Sequence, residues 1–181
     1  GYIDGSMARQ QTLLTIIVAV ALFGAPVQAA STWHSFTATN EMRRMVSLND
    51  TVFAATSGGM VIFPSPDDAP TIFTNADGLG TTDLWDIIQD GDGVKWICGF
   101  GGLTSYSPNG FDTYPSSNQD GPDRLLSIAD DGDRLWVGSE KGLLLFSKTD
   151  NGGQFLDRYS ISLTNPFPRI NDIAIVGDTI W

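Results

Sequence analysis

The sequence has one cysteine and one histidine in 181 residues, and it is poor in glutamate, in basic residues and in long apolar runs. The lone Cys98 excludes an internal disulfide framework. Its place in the apolar stretch Lys95-Trp96-Ile97-Cys98-Gly99 reads as a buried, inert thiol. A zinc site needs several His or Cys ligands, and His34 with Cys98 is too few. No G-x-S-x-G elbow accompanies His34, so nucleophilic catalysis has no constellation to rest on. Ten basic against 21 acidic residues give a net charge of −11, with no basic cluster to offset it. Such a chain repels nucleic-acid phosphates and anionic lipid, which excludes both as partners.

The longest apolar run, Leu13 to Phe23, has eleven residues and includes Thr15. As a helix it would reach only about 16 Å, whereas a membrane span needs roughly 20 apolar residues. Met7 and Arg9 precede this run. Gly24 and Pro26 end it, and Val27-Gln28-Ala29 supplies small residues at cleavage positions. Residues 7–29 are therefore expected to be a secretory signal peptide, cleaved after Ala29. The mature segment is expected to be exported (periplasmic, cell-surface or secreted) and not inserted in a membrane. Residues 1–6, GYIDGS, fit neither signal nor domain and are set aside as leader residues.

Residues 30–181 carry 20 acidic and 9 basic side chains, a size ordinary for one domain. Nineteen of the chain's acids are Asp and two are Glu, Glu41 and Glu140. Asp favours turns and Glu favours helices, so this bias, with 20 glycines, points to a turn-rich protein.

The chain also repeats itself. Val52-Phe53-Ala54-Ala55-Thr56-Ser57-Gly58-Gly59 is matched by Lys95-Trp96-Ile97-Cys98-Gly99-Phe100-Gly101-Gly102 and by Leu135-Trp136-Val137-Gly138-Ser139-Glu140-Lys141-Gly142. Ile180-Trp181 opens a fourth copy. Phe53, Trp96 and Trp136 are separated by 43 and 40 residues, as are Gly59, Gly102 and Gly142, and Trp181 follows Trp136 by 45. These aromatic and glycine positions are the structural anchors of the repeat.

Each unit divides into four strands. Strand a is apolar: Met45–Leu48, Leu84–Ile88, Leu125–Ile128 and Ile170–Ile175. Asn49-Asp50, Asp90-Gly91-Asp92-Gly93, Asp130-Asp131-Gly132-Asp133 and Gly177-Asp178 are hairpin turns. Strand b carries the aromatic anchor, glycine turns the chain into strand c, and strand d is Thr71–Thr74, Phe111–Tyr114 and Phe155–Tyr159. Four antiparallel strands per unit of about 40–45 residues indicate an all-β fold, a β-propeller of stacked blades. A β-sandwich also has short strands at even spacing, but it does not demand the same Trp and Gly at fixed offsets. The expected blades are about residues 41–75, 83–115 and 124–160, with the start of a fourth at 169–181. A blade cannot cover its own apolar faces, so the strand b aromatics should lie between neighbours.

Asp77-Gly78-Leu79 through Asp90-Gly91-Asp92-Gly93-Val94-Lys95-Trp96-Ile97-Cys98-Gly99-Phe100-Gly101-Gly102-Leu103 resembles the two-component regulator propeller repeat, and so does Leu135-Trp136-Val137-Gly138-Ser139 with Gly142-Leu143. The first copy departs from that pattern with Phe53 and Ala55, and the second with Cys98-Gly99. The resemblance implies a periplasmic input domain of a sensor kinase, or a secreted or surface propeller. It further implies that residues 31–40, with Phe36-Thr37, form a leading strand d that completes the last blade of a ring. Closed propellers use roughly four to eight blades, so the chain is expected to be a partial propeller within a longer protein.

Asp90, Asp92, Asp130, Asp131 and Asp133 invite a calcium reading, but the position twelve residues into an EF-hand loop starting at Asp90 is Gly101. Hairpin turns explain them without a metal, so neither metal nor cofactor is expected. Binding residues concentrate in loops on a rigid scaffold. The d–a and b–c loops hold Phe100, Glu140, Lys141 and Phe167, large groups without a core role, and these are the candidate contacts. The expected function is a ligand- or protein-recognition scaffold, not an enzyme, whose partner is a small molecule, glycan or protein. The alternatives are a structural surface propeller and an enzyme with catalytic residues in further blades.

Overall fold

The computed structural model describes residues 38–116, 123–149, 152–159, 164 and 168–181. The chain divides into two units, Gly1–His34 and Ser35–Trp181, and the described residues all belong to the second. The signal-peptide segment and the Phe36-Thr37 pair lie outside them.

Three four-stranded antiparallel sheets follow one another along the chain. The first blade is β1 (Met42–Leu48), β2 (Thr51–Thr56), β3 (Gly59–Phe63) and β4 (Thr71–Phe73). The second is β5 (Leu84–Gln89), β6 (Lys95–Gly99), β7 (Gly102–Ser107) and β8 (Gly110–Pro115). The third is β9 (Leu125–Asp131), β10 (Arg134–Ser139), β11 (Gly142–Thr149) and β12 (Gly152–Tyr159). A two-stranded hairpin, β13 (Ile175–Val176) and β14 (Thr179–Ile180), begins a fourth. The only helical element among the described residues is a 3-10 turn, Asn75–Asp77, capped by Thr74. None of them forms a helix long and apolar enough to cross a membrane.

The anchors occupy one register position in all three blades. Phe53 stands between Val46 and Ile62, Trp96 between Ile88 and Ser105, and Trp136 between Ala129 and Leu145. Strand periodicity then sends each aromatic to the same face of its sheet. Phe53, Ala55 and Met60 of the first blade pack against Leu84, Ile87 and Ile97 of the second. Trp96, Cys98 and Leu103 of the second pack with Leu125, Ile128, Val137 and Leu144 of the third. Trp96 is 3% exposed, while Trp136, whose ring lies 5.4 Å from that of Tyr159 in its own blade, is only half-buried.

Two features explain why the turns take these residues. Gly59 lies at φ +124°, and a Cβ on it would run into the Phe73 carbonyl oxygen of strand d; a Cβ on Gly102 would meet the Tyr114 carbonyl oxygen in the same way. The Asp90 carboxylate accepts from its own turn, at Asp92 N (3.1 Å) and Val94 N (3.0 Å), and its other oxygen accepts the Trp96 indole N–H at 2.7 Å. That aspartate links the turn to the anchor. Among the described residues no group of three or more His, Cys, Asp or Glu could hold a metal ion.

One strand differs from expectation. Residues 170–174 are irregular, and the fourth strand a is confined to Ile175–Val176. Its ladder pairs Ile175 with Ile180 and Val176 with Thr179, and Ala174 and Trp181 exchange backbone bonds at 3.0 and 2.8 Å. Ile170 N instead bonds Ser139 O at 2.9 Å, docking this segment on the third blade.

Candidate functional site

Strand a is where the blades approach each other most closely, with β1 against β5 and β5 against β9. Each of these strands carries a β-bulge near its start. Met42 pairs with Thr56 and Arg44 with Ala55, leaving Arg43 as the extra residue. Leu84 pairs with Gly99 and Asp86 with Cys98, leaving Trp85. Leu125 pairs with Ser139 and Ser127 with Gly138, leaving Leu126. A bulge residue is released from the ladder and its side chain is re-aimed. The position 45 residues beyond Leu126, the interval that separates Trp136 from Trp181, is Asn171. All four residues line one pocket of about 410 Å³, together with Arg44 and Asp86, which follow the bulges at Arg43 and Trp85, and Asp172, which follows Asn171. The repeat thus turns an arginine, an indole, a leucine and an amide into a common space.

Arg44, Asp86 and Asp172 form a charged chain across the blades. Arg44 Nε donates to Asp86 Oδ1 at 2.8 Å, and Arg44 Nη2 lies 3.4 Å from Asp172 Oδ1. Asp86 also accepts Ile87 N at 2.8 Å and, through Oδ2, Ile128 N at 2.9 Å. Asp172 accepts Ile173 N at 3.1 Å, repeating the Asp86–Ile87 contact. Both members of the Arg44–Asp86 pair have raised pKa values, for different reasons. The Asp86 hydrogen bond and charge raise Arg44. Burial raises Asp86, outweighing the Ile128 N–H and the Arg44 guanidinium. The side-chain exposures, 2% for Asp86 and 49% for Arg44, account for the asymmetry.

Trp85 gathers the cations. The Arg43 guanidinium lies 4.1 Å from its ring centroid, and those of Arg124 and Arg169 lie at 5.7 Å. All three are within cation–π range. Arg43 is held by Asp83 and Leu84 O, both at 2.7 Å, and by Glu41 at 3.2 Å. Arg124 and Arg169 share one oxygen of Glu140, at 3.3 and 3.5 Å. Arg169 Nε also donates to Asn171 Oδ1 at 2.7 Å. Two buried donors here have no hydrogen-bond partner among the described residues, Trp85 Nε1 and Arg124 Nε. Asp83 Oδ2 is 3.7 Å from Arg124 Nε, a charge contact too long to be a hydrogen bond.

Of the residues singled out in the loops, Glu140 reaches this cluster directly, and its backbone N bonds Arg124 O at 3.1 Å. Phe100 is an exposed side chain whose backbone forms a bridge with Arg124. Lys141 is exposed; its N–H is bonded to Ser139 Oγ (3.0 Å) and its carbonyl accepts Arg158 Nη1 (2.7 Å). Phe167 lies outside the described residues. The structure therefore brings Phe100 and Glu140 together around Arg124, while the bonds of Lys141 run to Ser139 and Arg158. The bulge residues were not legible as a site. Their one signal is spacing: residues 43, 85, 126 and 171 fall at intervals of 42, 41 and 45, close to the 43, 40 and 45 of the anchors, while their chemistry changes.

No protein-family model matches the sequence, and no curated protein matches it. Solved structures do. The chain is similar to the extracellular domain of the hybrid two-component system BT4673 from B. thetaiotaomicron, with a TM-score of 0.62 and 22% identity over 76% of this chain and 19% of that one. A second structure, of the extracellular domain of BT4673 described as a one-component system, gives 0.56 and 19% over 83% and 27%. The extracellular domain of the hybrid two-component system BT3049 from the same organism gives 0.54 and 16% over 72% and 20%. The chain thus spans about a fifth to a quarter of the length of these proteins. At this identity the likeness establishes the fold, an arc of propeller blades, and it agrees with the resemblance to the two-component regulator propeller repeat.

Proposed function

We propose that this chain is part of an extracytoplasmic recognition module, the sensing region of a two-component regulator, whose ligand sits in the pocket of strand a bulges. The observation that carries the reading is the bulge series. Where the anchor positions keep an aromatic in each blade, the three bulge positions Arg43, Trp85 and Leu126, with Asn171 of the irregular segment that follows the third blade, meet in one space. A packed interior gains nothing from such variety, whereas a binding site needs one apolar body and a few placed polar groups. The signal-like segment at residues 7–29 and the extracellular origin of the similar structures support export. The pocket carboxylate with the most partners, Asp86, is committed to Arg44, Ile87 and Ile128, which favours recognition over acid–base chemistry.

Thermal unfolding against a panel of neutral sugars, organic acids and short peptides tests this. A ligand at about a hundred times its Kd stabilises by roughly 2.7 kcal/mol. The expected hit stabilises the wild type, loses that effect in Trp85→Ala, and keeps it in a Phe100→Ala, Lys141→Ala double variant. A hit indifferent to Trp85 sinks the reading.

A further inference from the structure

We propose that the pocket takes the oxyanion of a small organic acid, which displaces Glu140 from between Arg124 and Arg169 and satisfies the unpartnered N–H groups beside them. This rests on the recognition reading above and adds the ligand class.

Three observations lead to it. First, residues 30–181 hold nine cations in a chain of net charge −11; Arg43 and Arg44 line the pocket, and Arg124 and Arg169 join Arg43 around the ring of its Trp85. Second, the unsatisfied groups around Trp85 are donors. Trp85 Nε1 and Arg124 Nε are buried without a hydrogen-bond partner, while the neighbouring carboxylates of Asp83, Asp86, Glu140 and Asp172 all have arginine partners. An unmade bond to a buried donor is costly, so the site favours a ligand that brings acceptors. Third, Glu140 already occupies the place of such a group. One of its oxygens serves both Arg124 and Arg169, at 3.3 and 3.5 Å, longer than charge-assisted bonds usually run. A loosely held internal carboxylate can exchange with one supplied by a ligand. Guanidiniums match carboxylate and phosphate alike, so the shared chemistry is an oxyanion. Trp85 and Leu126 give the apolar wall for a ring or hydrocarbon body.

The test follows the Trp85 indole N–H resonance by NMR in the full chain, assigned through Trp85→Phe. The probes are phenylacetate, phenyl phosphate and the neutral phenylacetamide. One or both anions are expected to shift that resonance saturably; which one does so identifies a carboxylate or a phosphate ester as the natural group. Arg169→Gln, at a half-exposed side chain outside the blade cores, should weaken the active anion by about tenfold, ~1.4 kcal/mol. Glu140→Gln should tighten it, because the internal competitor loses its charge; a merely structural Glu140 would not give that sign. The proposal is overturned if neither anion moves the resonance, or if Arg169→Gln leaves affinity unchanged. It is also overturned if phenylacetamide binds as well as the anions, an outcome that leaves the recognition reading standing.

Discussion

The carboxylate of Asp86 accepts the backbone N–H of Ile128 at 2.9 Å, a bond from the second blade to the third. Its other oxygen takes Arg44 of the first blade at 2.8 Å. One side chain therefore ties three blades at the floor of the pocket. Asp86→Ala should cost about 2 kcal/mol, mainly because the Ile128 N–H loses this acceptor in the interior; half-exposed Arg44 can regain water. Urea denaturation of the variant checks the figure.

The same carboxylate has a pH signature. Its pKa in the folded protein lies above the ordinary 3.8 because burial outweighs the bonds that favour the anion. The folded state then holds the proton more tightly than the unfolded chain. The contribution is present below about pH 3.8 and is lost as pH rises through the folded value. Asp86→Asn has no such titration. Its unfolding midpoint should therefore gain on the wild type between acidic and neutral pH, and a gap that widens in the opposite sense contradicts the assignment.

Trp96 and Trp136 share a register position but not a burial. Trp96→Ala should fall within the ~3–5 kcal/mol typical of a buried Trp. Trp136→Ala should cost distinctly less, since Trp136 is only half-buried. Both indoles donate to an aspartate of the preceding turn, at 2.7 Å to Asp90 and 3.1 Å to Asp131, so the contrast isolates packing. Equal costs by denaturation would mean that burial between blades is not what the anchors supply.

The blades were legible because a repeat prints its packing into the sequence. Trp96, Trp136, Gly102 and Gly142 must recur, since every blade solves the same burial problem. The pocket was hidden for the converse reason. Strand a read as a plain apolar run, Leu84–Ile88, and a bulge at Trp85 is not announced by composition. Its positions carry three different side chains, Arg43, Trp85 and Leu126, so a search for likeness passes over them. The Arg44–Asp86 pair spans 42 residues, a contact that only the stacking of blades creates. Loop reasoning reached Glu140 but not the indole that its arginine partners surround.

Lys148 supplies another bond between blades, donating to Asp130 of its own blade at 2.6 Å and to Asp90 of the second at 3.4 Å. Burial lowers its pKa, but Asp130 and then Asp90 raise it more, so the net shift is above the ordinary 10.5. The stability it contributes is complete below about pH 10.5 and is lost as pH rises through the folded value. Lys148→Met should cost about 2–3 kcal/mol at neutral pH, because Asp90 stays buried without its cation. The variant should also show a flatter alkaline limb. Denaturation at neutral and alkaline pH measures both, and parallel limbs would exclude the pairing.

Gly59 and Gly101 separate two costs that glycine normally hides. Both sit at positive φ, +124° and +93°, where an L side chain is strained. A Cβ at Gly101 meets nothing within 4 Å, so Gly101→Ala should show the strain alone, about 1–2 kcal/mol. A Cβ at Gly59 also collides with the Phe73 carbonyl oxygen, a backbone atom held in the β3–β4 ladder by the pairing of Met60 with Phe73. That oxygen cannot move without opening strand d. Gly59→Ala should therefore exceed Gly101→Ala by at least about 1 kcal/mol, the lower end of overpacking costs. It should also raise amide exchange along β4, which Gly101→Ala should leave alone. If the two variants prove equally stable, the turn glycines are kept for their dihedral angles, and the close approach of strands c and d is not what fixes them.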